Sequence, residues 1–406
     1  MIRPTVARID LDAVRSNYRS ITGHLAAGGG SAPGVIAVVK ANGYGHGAAQ
    51  IARALEDAGA DVLACADIEE GQALREAGVR AEILVFGALS VSDLDGLFDC
   101  QLTPTISTPG AARAVQAAAA KHHLRVRYHL KIDTGMNRLG FRFDNLQRTL
   151  PELLASPNLE LGAIYTHFAT AEDPESALFG EQRVRFDRAV AELAHHHQHL
   201  RPRNPDSSQK PPESRDPQHF TSVPASWDGG GVYRHAANSA ALLRDSRVWY
   251  ERVRPGLLLY GLVPPPLGST IDLRPALSLT SRIVAVKGIR PGEGAGYGMK
   301  FTADVASTIA IVPAGYADGL DLRLAGRGNV LIRGRRAPIV GAVSMDMLTA
   351  DVTSLDVSPG DEVVIIGAQG EDRIDVREMA AQIGTIPYEI LCRIGSRIER
   401  VYDEVM

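Results

Sequence analysis

Residues 37–47 read AVVKANGYGHG. The apolar run Val35-Ile36-Ala37-Val38-Val39 ends on Lys40, and small turn-forming residues with one tyrosine follow before Gly47-Ala48-Ala49 opens a helical pattern. A buried strand that turns straight into a helix is the start of a βα unit. At its end, burial strips hydration from an amine and makes it nucleophilic, so Lys40 is a candidate for Schiff-base formation. For an arbitrary strand-end lysine the commoner outcome is a side chain that snorkels to solvent. Here Gly43, Gly45 and Gly47 would let backbone approach a ligand, and Tyr44 adds a hydroxyl.

Outward from this stretch the same rhythm repeats. Apolar runs recur at Val35–Val39, Val62–Ala66, Ile83–Phe86, Leu102–Ile106, Val126–Ile132, Leu159–Tyr165, Tyr233–Ala237 and Arg252–Tyr260. Helical patterns lie between most of them, at Ala48–Ala58, Ile68–Ala77, Ala111–Ala120 and Arg183–His195. Strand and helix in alternation predict an α/β fold with a parallel sheet, and eight such strands predict a closed TIM-like (β/α)8 barrel. Catalytic groups then belong at the C-terminal strand ends, where Lys40, Lys131, His167, Asn238 and the loop after Arg252 fall. Ahead of the barrel, Thr5–Leu11 alternates as a strand and Asp12 is placed to cap a helix through about Ile21.

Two stretches break the rhythm. The segment at about 196–231 is rich in Pro, Ser, Asp, Gly and His, and reads as a flexible surface insertion between the sixth helix and the seventh strand. His195, His196, His197 and His199 at its start read as a helix end entering that loop, ahead of a metal site, because nothing sets coordination geometry. After Pro264-Pro265-Pro266, strands follow without intervening helices, at Leu277–Val286, Thr308–Val312, Asn329–Ile332, Ile339–Val343, Leu348–Val352 and Glu362–Ile366. One helix interrupts them, at about Val376–Ile383. The expected division is a barrel over 12–262 and a mostly β domain over 263–406.

Composition narrows the function. With 406 residues, 45% hydrophobic and 22% charged, the chain can bury large cores. A net charge of -4 supplies no overall basic field for nucleic acid or anionic lipid. No run approaches the roughly 20 apolar residues of a membrane helix, and the first residues lack a signal-peptide core, so a cytoplasmic protein is expected. Cys65, Cys100 and Cys392 show neither CxxC nor zinc spacing and read as reduced thiols, with no metal site.

The string at 37–47 resembles the cofactor-lysine signature of the alanine racemases. Similar matches run along nearly the whole chain: HLKIDTGMNRLGF (129–141), YTHFAT (165–170), HAANSA (235–240), VRPGLLLYG (253–261), GAGYGMKF (294–301), PAGYADGL (313–320), VGAVSMDM (340–347) and IPYEILCRI (386–394). The resemblance implies a homodimeric isomerase that binds pyridoxal 5'-phosphate (PLP). It would interconvert L- and D-alanine through an external aldimine by two-base proton transfer, supplying D-alanine for peptidoglycan. Lys40 would carry the cofactor and serve the D-alanine face, and Tyr297 the L-alanine face, with His167 in the tyrosine's network. Arg254 would face the pyridine nitrogen, where an arginine donates a hydrogen bond without readily yielding a proton. That favours simple loss and return of the α-proton over side reactions such as transamination.

By the same resemblance Arg138 reaches the cofactor's phenolic oxygen and the substrate carboxylate, and Lys131 is a candidate for carbamylation, with an unmodified Lys131–Asp133 pair as the alternative. Phosphate donors map to Tyr44, Ser239 beside Asn238, the amides of Gly256 and Leu257, and Tyr388. Tyr316 and Met345 would shape the substrate entrance and, with Tyr297, serve the site of the other subunit. The opening strand, residues 1–11, would join the second domain. Taken singly, Tyr297 reads equally as a turn tyrosine, Arg254 as half of a surface ion pair and Ser239 as a helix cap. One departure stands out: after Gly319 the family usually continues with an aromatic residue and a basic pair, whereas this chain has Leu320-Asp321-Leu322-Arg323-Leu324. A broader amino-acid racemase acting on serine or lysine is therefore the near alternative. A barrel decarboxylase is disfavoured by Arg254, and a single-barrel PLP carrier has no use for the second domain.

Overall fold

The computed structural model describes residues 4–28, 31–89, 93–200 and 231–403. Of the expected insertion at about 196–231, residues 201–230 lie outside the described residues, as do the side chains of His195, His196, His197 and His199, while 196–200 continue the helix Leu178–Leu200 rather than opening the loop. Strand β1 (Val6–Asp10) leads into a helix over Leu11–Ala27. Its cap is Asp10, whose Oδ1 accepts the Ala13 amide at 2.7 Å, and not Asp12, which pairs with Arg15 at 2.8 Å. The helix outruns Ile21 because Val14, Tyr18, Ile21 and Leu25 form one buried stripe at helical spacing.

Strands β2 (Gly34–Val38), β3 (Val62–Cys65), β4 (Glu82–Val85), β5 (Thr103–Ile106), β6 (Val126–Asp133), β7 (Phe141–Arg142), β8 (Leu159–Tyr165), β9 (Tyr233–Asn238) and β10 (Arg252–Arg254) form the first sheet. All pairings are parallel. β10 pairs with β2 and β5 with β6, which closes eight strands into a barrel and leaves the two-residue β7 appended to β6. The run Arg252–Tyr260 is not one strand. It stops at Arg254, because Pro255 has no amide to continue the ladder, and Leu257–Tyr260 forms a 3₁₀ turn ending at Gly261, φ +81°. The leucines there are buried as a turn, which a short apolar run does not distinguish from a strand.

In the second domain β1 lies between β11 (Leu277–Arg282), antiparallel, and Glu399–Asp403, parallel, within a ten-stranded sheet. The expected strand Leu277–Val286 is two strands, β11 and Ala285–Ile289, and Ile339–Val343 is displaced to Arg335–Val340. A second helix, Pro387–Arg393, follows Val376–Ile383; Pro387 occupies its first turn, where a missing N–H costs nothing.

The stretch after β2 has unusual geometry. Ala41, Asn42, Gly43 and Tyr44 are all left-handed, with φ of 52°, 53°, 62° and 52°. Such backbone costs roughly 1–2 kcal/mol per non-glycine residue. It is held by Glu70, whose carboxylate accepts the amides of Ala41 at 2.6 Å and Ala66 at 2.8 Å. Gly45 and Gly47 do not make room for a ligand, as their spacing suggests. A Cβ on Gly45 would overlap the carbonyl of Leu391, and one on Gly47 the hydroxyl of Tyr402. The glycines admit the chain's own second domain, and Arg400 Nε seals the contact on Gly45 O at 2.9 Å.

This close approach gives a test. Gly45→Ala should lower the thermal midpoint clearly more than Gly384→Ala, since both glycines have positive φ but only open space surrounds Gly384. Backbone strain alone costs about 1 kcal/mol; the excess at Gly45 measures the clash. Equal shifts in calorimetry would show that the two domains do not interlock there.

Candidate active site

Lys40 stands half-buried at the carboxyl end of β2. Burial first, and then the Arg138 guanidinium, pushes its amine below the usual lysine range. Lys131, on β6, points its ammonium toward the Tyr165 ring, 5.7 Å from the centroid, and is pushed down to about 8 by burial, Arg138 and Arg254. The Lys131–Asp133 pair does not form. Asp133 Oδ1 instead accepts the amides of Gly135, Met136 and Asn137 at 2.9, 3.0 and 3.1 Å, folding the turn that carries Arg138. Lys40, Lys131, Arg138 and Arg254 each act on one another's charge here, and cations gathered in this way leave a barrel mouth that suits anions.

Arg254, 3% exposed at the end of β10, is fixed from several sides. Its Nη2 donates to the carbonyls of Thr166 at 2.8 Å and Ala236 at 3.0 Å, and its Nη1 meets His235 Nδ1 at 2.9 Å. His167 Nδ1 lies 3.3 Å from Nη2. A guanidinium has five N–H groups. Three are committed, so one Nη1 hydrogen and the Nε hydrogen are free to meet an acceptor. Burial lowers Arg254 to about 10, still far enough above neutral pH for it to remain a cation. The surface ion pair considered for Arg254 is thus not what the fold builds, and burial together with Arg254 holds His167 neutral.

Beside this wall lies a second group of donors. Ser239 Oγ accepts the Gly256 amide at 2.9 Å and the Leu258 amide at 3.4 Å, so the serine sits against the turn that carries Gly256, Leu257 and Leu258. The helix Ser239–Arg244 is capped by Asn238, whose Oδ1 accepts the Ala241 amide at 2.9 Å. Asn238 is therefore the residue that sets Ser239 in place. Gly256 has no room for a side chain, because a Cβ there would overlap the Tyr44 hydroxyl. The Tyr44 ring packs on Tyr260 at 5.0 Å and Tyr388 at 5.8 Å. Tyr388 reaches Glu172 at 3.5 Å, and burial pushes its phenol well up, so it stays a hydroxyl.

Tyr297, Tyr316 and Met345 do not join this cluster. They are 78%, 44% and 52% exposed on the second domain. The loop Gly341–Met347 touches both neighbourhoods: the Tyr316 amide donates to Ser344 O at 2.9 Å, and a Cβ on Gly296, next to Tyr297, would lie 3.1 Å from the Ala342 amide. In the segment after Gly319, Leu320 is buried, and Asp321 clamps Arg323 at 2.7 Å and Arg393 at 2.5 Å.

Sequence reasoning passed over Glu70, Tyr165, Glu172 and two buried histidines, His129 and His235. A signal for the histidines was present: His129 and Lys131 on β6, like Tyr233 and His235 on β9, are two apart and so share the barrel-facing side of their strands.

A closed barrel with a low-pKa amine at one strand end, a buried guanidinium holding free donors and a strand-rich companion domain define a barrel-type amino-acid isomerase. Family comparison is more specific. Residues 9–225 match the N-terminal domain of alanine racemase and residues 276–402 its C-terminal domain. The alanine racemase of Carboxydothermus hydrogenoformans is 38% identical over 404 residues, 99% of this chain and 100% of that one. The alanine racemase of Bacillus anthracis, solved with bound L-Ala-P, superposes with a TM-score of 0.83 at 32% identity, covering 100% of this chain and 96% of that one. That of Bartonella henselae, with covalently bound pyridoxal phosphate, gives 0.78 at 28% identity, covering 98% and 99%. The chain belongs to the alanine racemase family. Among the described residues, no helix is long and apolar enough to cross a membrane.

Proposed function

We propose that this racemase works with PLP linked to Lys40, in a head-to-tail homodimer whose two sites are each completed by Tyr297, Tyr316 and Met345 of the partner subunit. The observation that carries the reading is the pairing at one barrel mouth of a half-buried amine with lowered pKa and a buried cation holding two uncommitted N–H donors. The groups fit the cofactor. Ser239, the Gly256 and Leu257 backbone, Tyr44 and Tyr388 offer hydroxyls and amides to a phosphate, and the space at Gly256 closes if any Cβ is added. Arg254 offers its free N–H to a ring nitrogen. When bound, PLP supplies an electron sink beside the substrate's Cα–H bond.

The chain's own groups then do the rest. Lys40 Nζ, kept readily neutral by burial, takes or returns the α-proton on the D-alanine face. The partner's Tyr297 serves the opposite face. Arg138 orients the substrate carboxylate as a planar two-point donor, with Met345 of the partner subunit beside it. Lys131, at about 8, has a neutral form accessible for carbamylation, which would turn a cation into an anion beside Arg138. Cytoplasmic D-alanine for peptidoglycan is the role this activity fits. A second reading, in which serine or lysine is also accepted, rests on the unusual segment Leu320–Leu324, whose first four residues line a hollow together with Tyr316.

Borohydride reduction followed by peptide mapping tests the lysine, and chiral chromatography of alanine, serine and lysine tests the substrate. We expect label on the Lys40 peptide and alanine turned over fastest. Label elsewhere would remove Lys40 from the cofactor, and faster turnover of serine or lysine would displace alanine as the preferred substrate.

A further inference from the structure

Behind Arg254 the barrel interior carries a line of polar side chains to which the reaction as described gives no role. It begins at Arg254 on the carboxyl end of β10. His235 Nδ1 faces Arg254 Nη1 at 2.9 Å, His235 Nε2 faces His129 Nδ1 at 3.1 Å, and His129 Nε2 faces the Tyr233 hydroxyl at 3.1 Å. Beyond it, 3.8 Å from His129 Nε2, lies Glu82 Oε1, on the first residue of β4 at the opposite end of the barrel. Both histidines are buried, at 1% and 0% exposure. Tyr165 stacks on His235 at 4.6 Å and 12°, and Tyr233 stands edge-on to His129 at 5.3 Å and 86°, so neither ring can turn freely.

The hydrogens in this line can run only one way. A guanidinium has no acceptor, so His235 Nδ1 must accept and its proton must sit on Nε2. That proton points at His129 Nδ1, which must in turn accept, placing the second proton on His129 Nε2. There it points at the Tyr233 oxygen and at the Glu82 carboxylate. The reverse assignment sets two donors face to face at Arg254. Burial and the cations Arg127, Arg252 and Arg254 keep both rings neutral. Each imidazole therefore turns its electron-rich nitrogen toward the cation and its N–H toward the acid.

Among the described residues no carboxylate pairs with Arg254, whereas the neighbouring Arg252 is held by Asp61 at 2.6 Å. A buried charge needs compensation. We propose that His235 and His129 form a polarised line that ties the Arg254 cation to Glu82 across the barrel, and that these three are positioning residues which hold Arg254 as a donor to the cofactor's ring nitrogen. This rests on Arg254 facing that nitrogen. Glu82 itself is anchored by Thr103 Oγ1, which donates to its Oε1 at 2.9 Å. A change at the far end of the barrel should thus be felt at the cofactor.

Neutron diffraction at neutral pH, on the cofactor-free and the loaded protein, reads the protons directly. Deuterium on Nε2 of both His235 and His129, with none on either Nδ1, is expected in both forms; deuterium on either Nδ1 overturns the line. Glu82→Gln keeps the shape and can still accept from Thr103, so the fold should hold. It is expected to move the pH midpoint of the bound cofactor's absorbance and to lower kcat about tenfold while KM changes less than about twofold. An unchanged absorbance titration with unchanged kcat would show the line to be structural only. Because the cofactor-free protein is examined too, a failure of the line and a failure of the cofactor reading give different results.

Discussion

Lys40→Ala protein, reconstituted with PLP, reduced with borohydride and desalted, should carry no covalent pyridoxyl label and lose alanine interconversion by roughly 10⁴-fold or more. Two losses combine in one residue, since the same amine anchors the cofactor and handles a proton. Its pKa is lowered, chiefly by burial and then by Arg138, which makes the neutral, nucleophilic amine easier to reach. Lys131 is the competitor, pushed down to about 8 in the same electropositive space. The experiment separates them. If the Lys40→Ala protein still takes covalent label, now on the Lys131 peptide, the anchor has been assigned to the wrong strand. Adding a small primary amine should return the visible absorbance without returning full turnover, because a free amine replaces the chemistry but not the tether.

Tyr297→Phe should behave in the opposite manner, keeping its colour and thermal midpoint while losing roughly 10²- to 10⁴-fold in turnover. The side chain is 78% exposed within one chain, so removing its hydroxyl should leave the fold unaffected. A sharper outcome follows from sharing. Neither Lys40→Ala nor Tyr297→Phe homodimers hold an intact site, but a mixed dimer has one site with both residues and one with neither. Reassorting the two inactive proteins one to one should restore about a quarter of the wild-type activity. No recovery, with mixed dimers verified by mass, would place Tyr297 in its own chain's site or outside the chemistry.

The barrel was legible because each β-strand is a short apolar run closed by turn residues, and the eight runs are separated by helical patterns. Where the reading failed, it failed for local reasons. Arg252–Tyr260 looked continuous because the 3₁₀ turn after Pro255 is as apolar as a strand. Pro387–Arg393 was passed over because a seven-residue helix has too few turns to show a period. The cofactor side of the site was legible as strings, since Lys40, Arg138, Ser239 and Arg254 each sit in a distinctive stretch. What the strings could not convey was pairing between distant segments. That Glu70 braces Ala41, that Tyr388 packs on Tyr44, or that His129 meets His235 depends on strand register and domain docking, neither of which is written in any one motif. The glycines of 43–47 make the same point. Their spacing suggested a ligand, and the fold uses two of them for contact with Leu391 and Tyr402.

That contact has a bearing on how the protein is made. Domains emerging from the ribosome fold from the N-terminal side first, yet the left-handed turn after Lys40 leans on Leu391, Arg400 and Tyr402, and β1 takes its place only between residues 277–282 and 399–403. A nascent chain stopped at residue 262 has all eight barrel strands and the Glu70 brace, but not the second-domain surface against which the turn after its reactive amine rests. The final seating of that turn therefore waits for chain some 350 residues beyond the lysine, so its geometry is set late in translation.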